Sequence, residues 1–222
     1  MPVNIEAYKN LLSELSGKKV TLVAVSKTKS IVEIKELYEL GQRDFGENYV
    51  QELVDKEKQL PKDIRWHFIG HLQSNKVKFI APFVHLIQSV DSFKLLKEIH
   101  KQAEKNNRVV DCLLQVHIAR EETKFGLDET ELTEIMNQII RTPLKNVRII
   151  GLMGMATFTD DPESVRVEFQ ELKKKFDGLK TEGLPLTTLS MGMTSDYQIA
   201  IEEGSTMVRI GSLIFGKRET TN

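Results

Sequence analysis

The sequence predicts an α/β chain folded as a single (β/α)8 TIM-type barrel over residues 1–222, with one extra helix ahead of the first strand. Three observations predict it. Eight short β-rich runs alternate with amphipathic runs along the whole length. Several of the β-rich runs are near-continuous apolar runs, not alternating ones, the pattern of parallel strands covered on both faces by helices. The chain has 222 residues, 40% of them hydrophobic and 28% charged, enough for one barrel with a large core and a solvated surface. An open doubly wound sheet is the rival arrangement.

Taken in order, Ile5, Tyr8, Leu12 and Leu15 mark one apolar stripe on a leading helix. A strand follows at 20–26 (VTLVAVS), then a helix starting near Ser30 with its stripe on Ile31, Ile34, Leu37 and Tyr38. Strands are expected at 44–47, 66–70 (WHFIG) and 86–90 (LIQSV). Ser92 caps the next helix, which contains Phe93, Leu96 and Ile99. Strands at 112–118 (CLLQVHI) and 149–156 (IIGLMGMA) come next. Asp161 before Pro162 reads as an N-cap followed by proline at the first helical position. Val165, Phe169, Leu172, Phe176 and Leu179 then keep 4-3-4-3 spacing, the signature of one helix face. Strands at 188–193 and 207–210 complete the eight.

Composition removes several classes of function. The net charge is −1, so nothing electrostatic favours nucleic acid or an anionic membrane surface. No apolar stretch approaches the ~20 residues that span a bilayer. The N-terminus, MPVNIEAYKNLLSEL, lacks the basic and apolar regions of a signal peptide. Cys112 is the one cysteine, so no intrachain disulfide forms, and its apolar surroundings read as those of a buried, inert thiol. A cytoplasmic protein is expected.

In a barrel the working face lies at the C-terminal ends of the strands. Strand one ends in Ser26-Lys27-Thr28-Lys29. A lysine placed there after an apolar run is either a partly desolvated amine able to attack a carbonyl or an ordinary strand-end lysine reaching water. Lys29, beside a helix start, reads as solvated. After strand seven comes Met191-Gly192-Met193-Thr194-Ser195-Asp196, and after strand eight Arg209-Ile210-Gly211-Ser212. Small and hydroxylic residues at these two places suit an anion, because the loops after strands seven and eight form the habitual phosphate site of this fold. The alternative is plain capping by Thr194 or Ser195. Arg209, inside a strand, either pairs with a buried carboxylate or faces a ligand. His67 and His71 straddle a strand end without a carboxylate to complete a metal site, so no metal is expected. Neither G-x-G-x-x-G nor G-x-x-x-x-G-K-[ST] occurs.

The stretches VAVSKTK (23–29), FGENYVQE (45–52), WHFIGHLQSNK (66–76), QSVDS (88–92), GLMGMA (151–156) and LSMGMTSDYQIAIEEGSTMVRIGSLIFGKR (189–218) resemble the YggS/PROSC family of pyridoxal phosphate homeostasis proteins. That family is similar to the N-terminal barrel of alanine racemase. The resemblance implies pyridoxal 5′-phosphate (PLP) held as a Schiff base on Lys27, with Arg209 facing the pyridine nitrogen. It implies phosphate bound by Gly211 and Ser212 backbone N–H groups and by the hydroxyls of Thr194 and Ser195. Asn48 would line the cofactor face. His71, Asn75 and Lys76 belong to the motif without an assigned contact. His117 stands where the family usually shows asparagine, in QVHIAREETKFG, and Thr194 where it usually shows serine.

The function implied is buffering and delivery of PLP inside the cell, with apo PLP-dependent enzymes as partners and little or no catalysis. The chain ends soon after the last barrel element, so the second domain of alanine racemase, with its catalytic tyrosine, is not expected; Tyr49 and Tyr197 are the nearest substitutes. A monomer is expected. Two alternatives stand beside this: a fold-type-III PLP enzyme acting on amino acids, and a Schiff-base aldolase working without PLP.

Overall fold

The computed structural model describes residues 3–120, 125–182 and 184–216. Residues 121–124 of the strand-five motif, and the last two of the long C-terminal motif, lie outside the described residues. The elements run α1 (Ile5–Leu15), β1 (Thr21–Val25), α2 (Ile31–Glu39), β2 (Asp44–Glu47), α3 (Val50–Gln59), β3 (Arg65–Phe68), α4 (Val77–Ile80), β4 (Leu86–Val90), α5 (Phe93–Lys105), β5 (Val110–Val116), α6 (Glu129–Arg141), β6 (Val147–Gly154), α7 (Pro162–Thr181), β7 (Thr188–Ser190), α8 (Tyr197–Glu202), β8 (Met207–Ile210) and α9 (Ser212–Phe215). A short 3-10 turn, Ser74–Lys76, leads into α4.

The eight strands pair in sequence order, all parallel, and close into a barrel. Closure comes from β1 lying beside β8, with Val23 opposite Arg209 and Ala24 opposite Ile210. Strand alternation divides the side chains into two cores. Val23, Leu86, Leu113, Met153 and Met207 fill the barrel interior. Leu22, Ala24, Phe45, Trp66 and Phe68 point outward and meet the helices. Helix α7 shows how sequence makes this outer layer. Asp161 caps it by accepting from the Glu163 N–H, Pro162 occupies its first turn, and Val165, Phe169, Leu172 and Phe176 are buried along one face. Each such side chain contributes roughly 1.5–3 kcal/mol by leaving water. Capping by Ser30 and Ser92 is also as expected.

Several expectations need correction: the strands expected at 66–70, 112–118 and 149–156 each end two residues early, at Phe68, Val116 and Gly154. On α1 the buried stripe is Tyr8, Leu11 and Leu15, while Leu12 is exposed. Leu11 completes the 3-4 spacing from Tyr8 to Leu15, and Leu12 sits one residue round the helix from it. Strand β7 ends at Ser190, three residues early. There Gly192 adopts φ +96°, and a Cβ on it would meet the Ala200 Cβ at 2.6 Å, so the chain turns sharply into α8 at a position only glycine tolerates. Cys112 is fully buried, and burial pushes its thiol pKa up.

The rim where the strands begin is stapled by Asp44. Its two carboxylate oxygens accept from Arg65 Nε at 2.8 Å and Nη2 at 2.5 Å, and Oδ1 lies 2.9 Å from His67 Nε2. Burial alone would raise this carboxyl, but the hydrogen bonds from Arg65 and His67 outweigh it and hold the group well below the usual carboxylate range. A depressed carboxylate contributes stability that is present above its unfolded value, 3.8, and lost as pH falls below that. Asp44→Asn is therefore expected to cost about 1.5–3 kcal/mol at neutral pH. The gap from wild type should close on acidification below about pH 4 in urea unfolding followed by circular dichroism; a gap that stayed constant with pH would show that the charge of Asp44 contributes nothing.

Candidate functional site

Lys27 sits two residues past the end of β1, on a tight turn closed by the Lys29 N–H donating to the Ser26 carbonyl at 3.0 Å. Thr28, next along, has φ +65°, a conformation that β-branched residues avoid. Such backbone costs roughly 1–3 kcal/mol and persists only where neighbours over-determine it. Here they do. The Thr28 N–H donates to Glu52 Oε1 at 2.6 Å, and the Ser26 hydroxyl donates to Glu47 Oε1 at 2.5 Å. The Lys56 ammonium, 6% exposed, donates to the Ser26 carbonyl at 2.7 Å, to Glu47 at 2.8 Å and to Glu52 at 2.7 Å. Glu52 and Lys56 are one turn apart on α3, so a single helix face clamps the backbone on both sides of Lys27. Burial pushes the Glu47 carboxyl up to about 6, against the pull of Lys56 and the Ser26 hydroxyl, which leaves it charged at neutral pH.

Above this turn, at the C-terminal ends of the strands, opens a cleft of about 400 Å³. All seven residues singled out from the sequence line it: Lys27, Asn48, Thr194, Ser195, Arg209, Gly211 and Ser212. They come from four strand ends. Gly211 packs against Val25, where a Cβ would sit 3.3 Å from the Val25 Cβ. Val25, Ile69, Met155 and Met193 supply apolar walls. The Arg209 side chain is buried, its guanidinium donating to the Ser190 hydroxyl at 2.6 Å and to the Gly154 carbonyl at 3.0 Å. Burial lowers its pKa to about 10, opposed by the charge of Asp196, so it remains a cation at neutral pH. Its hydrogen-bonding partners are neutral oxygens, not the carboxylate pairing weighed from the sequence.

Other expectations shift. Lys29 is not solvated: its ammonium donates to the Phe215 carbonyl at 2.8 Å and lies 3.6 Å from Glu33. The N-cap of α8 is Asp196, not Thr194 or Ser195, and its carboxylate accepts from the Met193 N–H at 2.5 Å. His67 and His71 do not act together. His71 lies 3.2 Å from Asp91 and stacks on Phe125, whereas His67 is inside the barrel, where Asp44 and His85 approach it. The carboxylate missing from the sequence argument thus arrives from β2. The Tyr197 hydroxyl donates to Glu14 on α1 at 2.8 Å, and Tyr49 is exposed at the start of α3.

The family model described as alanine racemase, N-terminal domain, matches residues 3–219. A protein of Aquifex aeolicus named pyridoxal phosphate homeostasis protein is 44% identical over 200 residues, covering 89% of this chain and 87% of its own. The chain belongs to this family. A Pasteurella multocida protein of the same name is 41% identical over 208 residues, covering 90% of this chain and 87% of its own. PipY of Synechococcus elongatus, solved with PLP bound, superposes with a TM-score of 0.87 at 36% identity, over 95% of this chain and 99% of that one. Among the described residues no helix is long and apolar enough to cross a membrane.

Sequence reasoning missed Glu47, Glu52 and Lys56 as supports of Lys27. The signal was present: FGENYVQE held both glutamates, and Glu52 and Lys56 keep i,i+4 spacing. Lys56→Met is expected to strand the buried Glu47 charge and lower stability by ~3–5 kcal/mol in denaturant unfolding. Adding Glu47→Gln should recover part of the loss; a double variant no better than the single one would dissolve the ion-pair account.

Proposed function

We propose that this chain binds PLP through a Schiff base on Lys27 and takes part in PLP homeostasis, holding and delivering the cofactor with little or no catalysis. The observation that carries the reading is the makeup of the cleft. It joins a lysine on a clamped turn, a buried arginine and two hydroxyl- and glycine-bearing loops, yet its described lining includes no tyrosine, histidine, cysteine or carboxylate.

The residues fit the cofactor. Lys27 offers the amine for its aldehyde. Gly211 and Ser212 offer backbone N–H groups, and Thr194 and Ser195 offer hydroxyls, to its phosphate. Asn48 Oδ1 is buried without a hydrogen-bond partner among the described residues, and a ligand donor would satisfy it. Arg209 would meet the pyridine nitrogen as a cation that keeps its protons. PLP, when bound, supplies a carbonyl for amines and a ring that withdraws electrons, a capacity weakened where the ring nitrogen is not protonated. Racemisation needs an acid or base on each face of the cofactor, and Lys27 serves only one. The names of the relatives support the same reading, and PipY supports the cofactor. The reading extends to a single barrel unit that works as a cytoplasmic monomer and passes PLP to apo-enzymes.

Incubation with PLP, borohydride reduction and peptide mapping should fix the adduct on Lys27. Lys27→Ala should lose the visible absorption band and retain weak, phosphate-anchored binding. An adduct spread over surface lysines would remove Lys27 from the site. Loaded protein should exchange the α-hydrogen of amino acids with solvent deuterium no faster than free PLP; enzyme-like turnover would overturn the carrier role.

A further inference from the structure

A line of polar side chains crosses the barrel interior. Starting at the cleft, Arg209 Nη1 donates to the Ser190 hydroxyl at 2.6 Å. The Ser190 hydroxyl donates to Gln88 Oε1 at 2.7 Å. Gln88 Nε2 lies 3.0 Å from His67 Nδ1, and His67 Nε2 lies 2.9 Å from Asp44 Oδ1, at the opposite rim. Gln88 and Ser190 are 0% exposed, His67 is 1% and Arg209 is 4%, so water does not reorganise these links. Five strands contribute one residue each.

The two ends, with the single Ser190 proton donated to Gln88 Oε1, fix the direction of every link. A guanidinium only donates and a carboxylate only accepts. Ser190, accepting from Arg209, gives its proton to Gln88. The Gln88 amide must then present oxygen to Ser190 and nitrogen to His67. Its second N–H meets the Met207 sulfur at 3.2 Å, so neither amide hydrogen is idle. His67 accepts at Nδ1, carries its proton at Nε2 and donates it to Asp44. One tautomer of His67 and one flip of Gln88 satisfy the whole line. Asp44 is itself held by Arg65, so the chain of bonds is anchored at both ends.

We propose that Asp44, His67, Gln88 and Ser190 form a one-way hydrogen-bond relay that sets the orientation of the Arg209 guanidinium at the cofactor cleft, and so act as positioning residues for PLP. The role toward PLP rests on the function proposed above; the relay itself does not. It also explains why a buried arginine tolerates neutral partners: cooperative polarisation along a fixed chain of donors strengthens each link. The same direction of bonding speaks against a metal at the Asp44–His67–His85 cluster, because the Nε2 lone pair a metal needs is occupied by a proton.

The test has an apo and a holo arm. Long-range ¹⁵N–¹H spectra of the apo protein should show His67 neutral with its proton on Nε2. In Ser190→Ala, two links away, that single tautomer should be lost, while Ser205→Ala, a buried serine bonded only to backbone carbonyls, should leave it intact. In protein loaded with ¹⁵N-labelled PLP, Ser190→Ala and Gln88→Met should shift the pyridine nitrogen resonance and weaken PLP binding about tenfold or more. A wild-type His67 protonated at Nδ1, or a Ser190→Ala variant that leaves both His67 and the pyridine signal unchanged, would overturn the relay. Stoichiometric Zn²⁺ that shifts the His67 and His85 ring nitrogens together would replace it with a metal site. Failure of the wild type to take up PLP would instead defeat the proposed function, with the apo spectra still deciding the relay.

Discussion

The pairing of β1 with β8 is the constraint on which the rest depends. It places Val23 beside Arg209 and carries the end of β1 alongside Gly211, so the lysine turn and the last loop become neighbours. Without this closure Lys27 would be a strand-end amine facing water, and Arg209 a buried charge with no wall in front of it. A parallel barrel has no edge strands, and so its rim is a continuous ring of loops on which groups distant in sequence meet.

Two polar systems serve the cleft from opposite sides of the barrel wall. The Lys56 clamp lies in the outer layer, between β1, β2 and α3, and acts on the backbone around Lys27. The relay to Arg209 lies in the inner core. Strand alternation keeps them apart: Glu47 points outward and Asp44, three residues earlier, inward. Each holds one cleft-lining residue from below, leaving the rim loops to supply only glycines, hydroxyls and an amide. The arrangement spends buried charge on geometry, because an ion pair such as Lys56 with Glu47 stabilises little beyond what hydrophobic packing would.

Much of this was legible in the sequence because barrel strands and helices write their periodicity plainly. The short β-rich runs expected at 44–47, 86–90 and 207–210 match β2, β4 and β8 to the residue. The seven cleft residues were legible through strand-end position and motif. What was not legible was partnership across strands. His67 reads beside His71 because they share a pentapeptide, yet the fold pairs it with Asp44, a residue 23 positions away. Gln88 and Ser190 are 102 positions apart and look like polar interruptions of apolar strands until the barrel closes. The stripe on α1 was misread by one residue because Leu11 and Leu12 are adjacent leucines, and only the packing surface chooses between them. The shortening of β7 turned on the backbone angle of one glycine, which no pattern of side chains announces.

Closure by the first and last strands also has a consequence in time. The contacts that build the cleft join residues near 25 to residues near 210, so they lie among the most non-local in the chain and carry a large loop-closure cost. Helices and neighbouring strands can form as they are synthesised, but the N-terminal strand waits with its outer partner absent. During that interval a nascent chain carries Lys27 with neither Arg209 nor the glycine loop in place, an amine with no pocket. The cleft therefore appears late and all at once, as a property of the closed ring and not of the lysine.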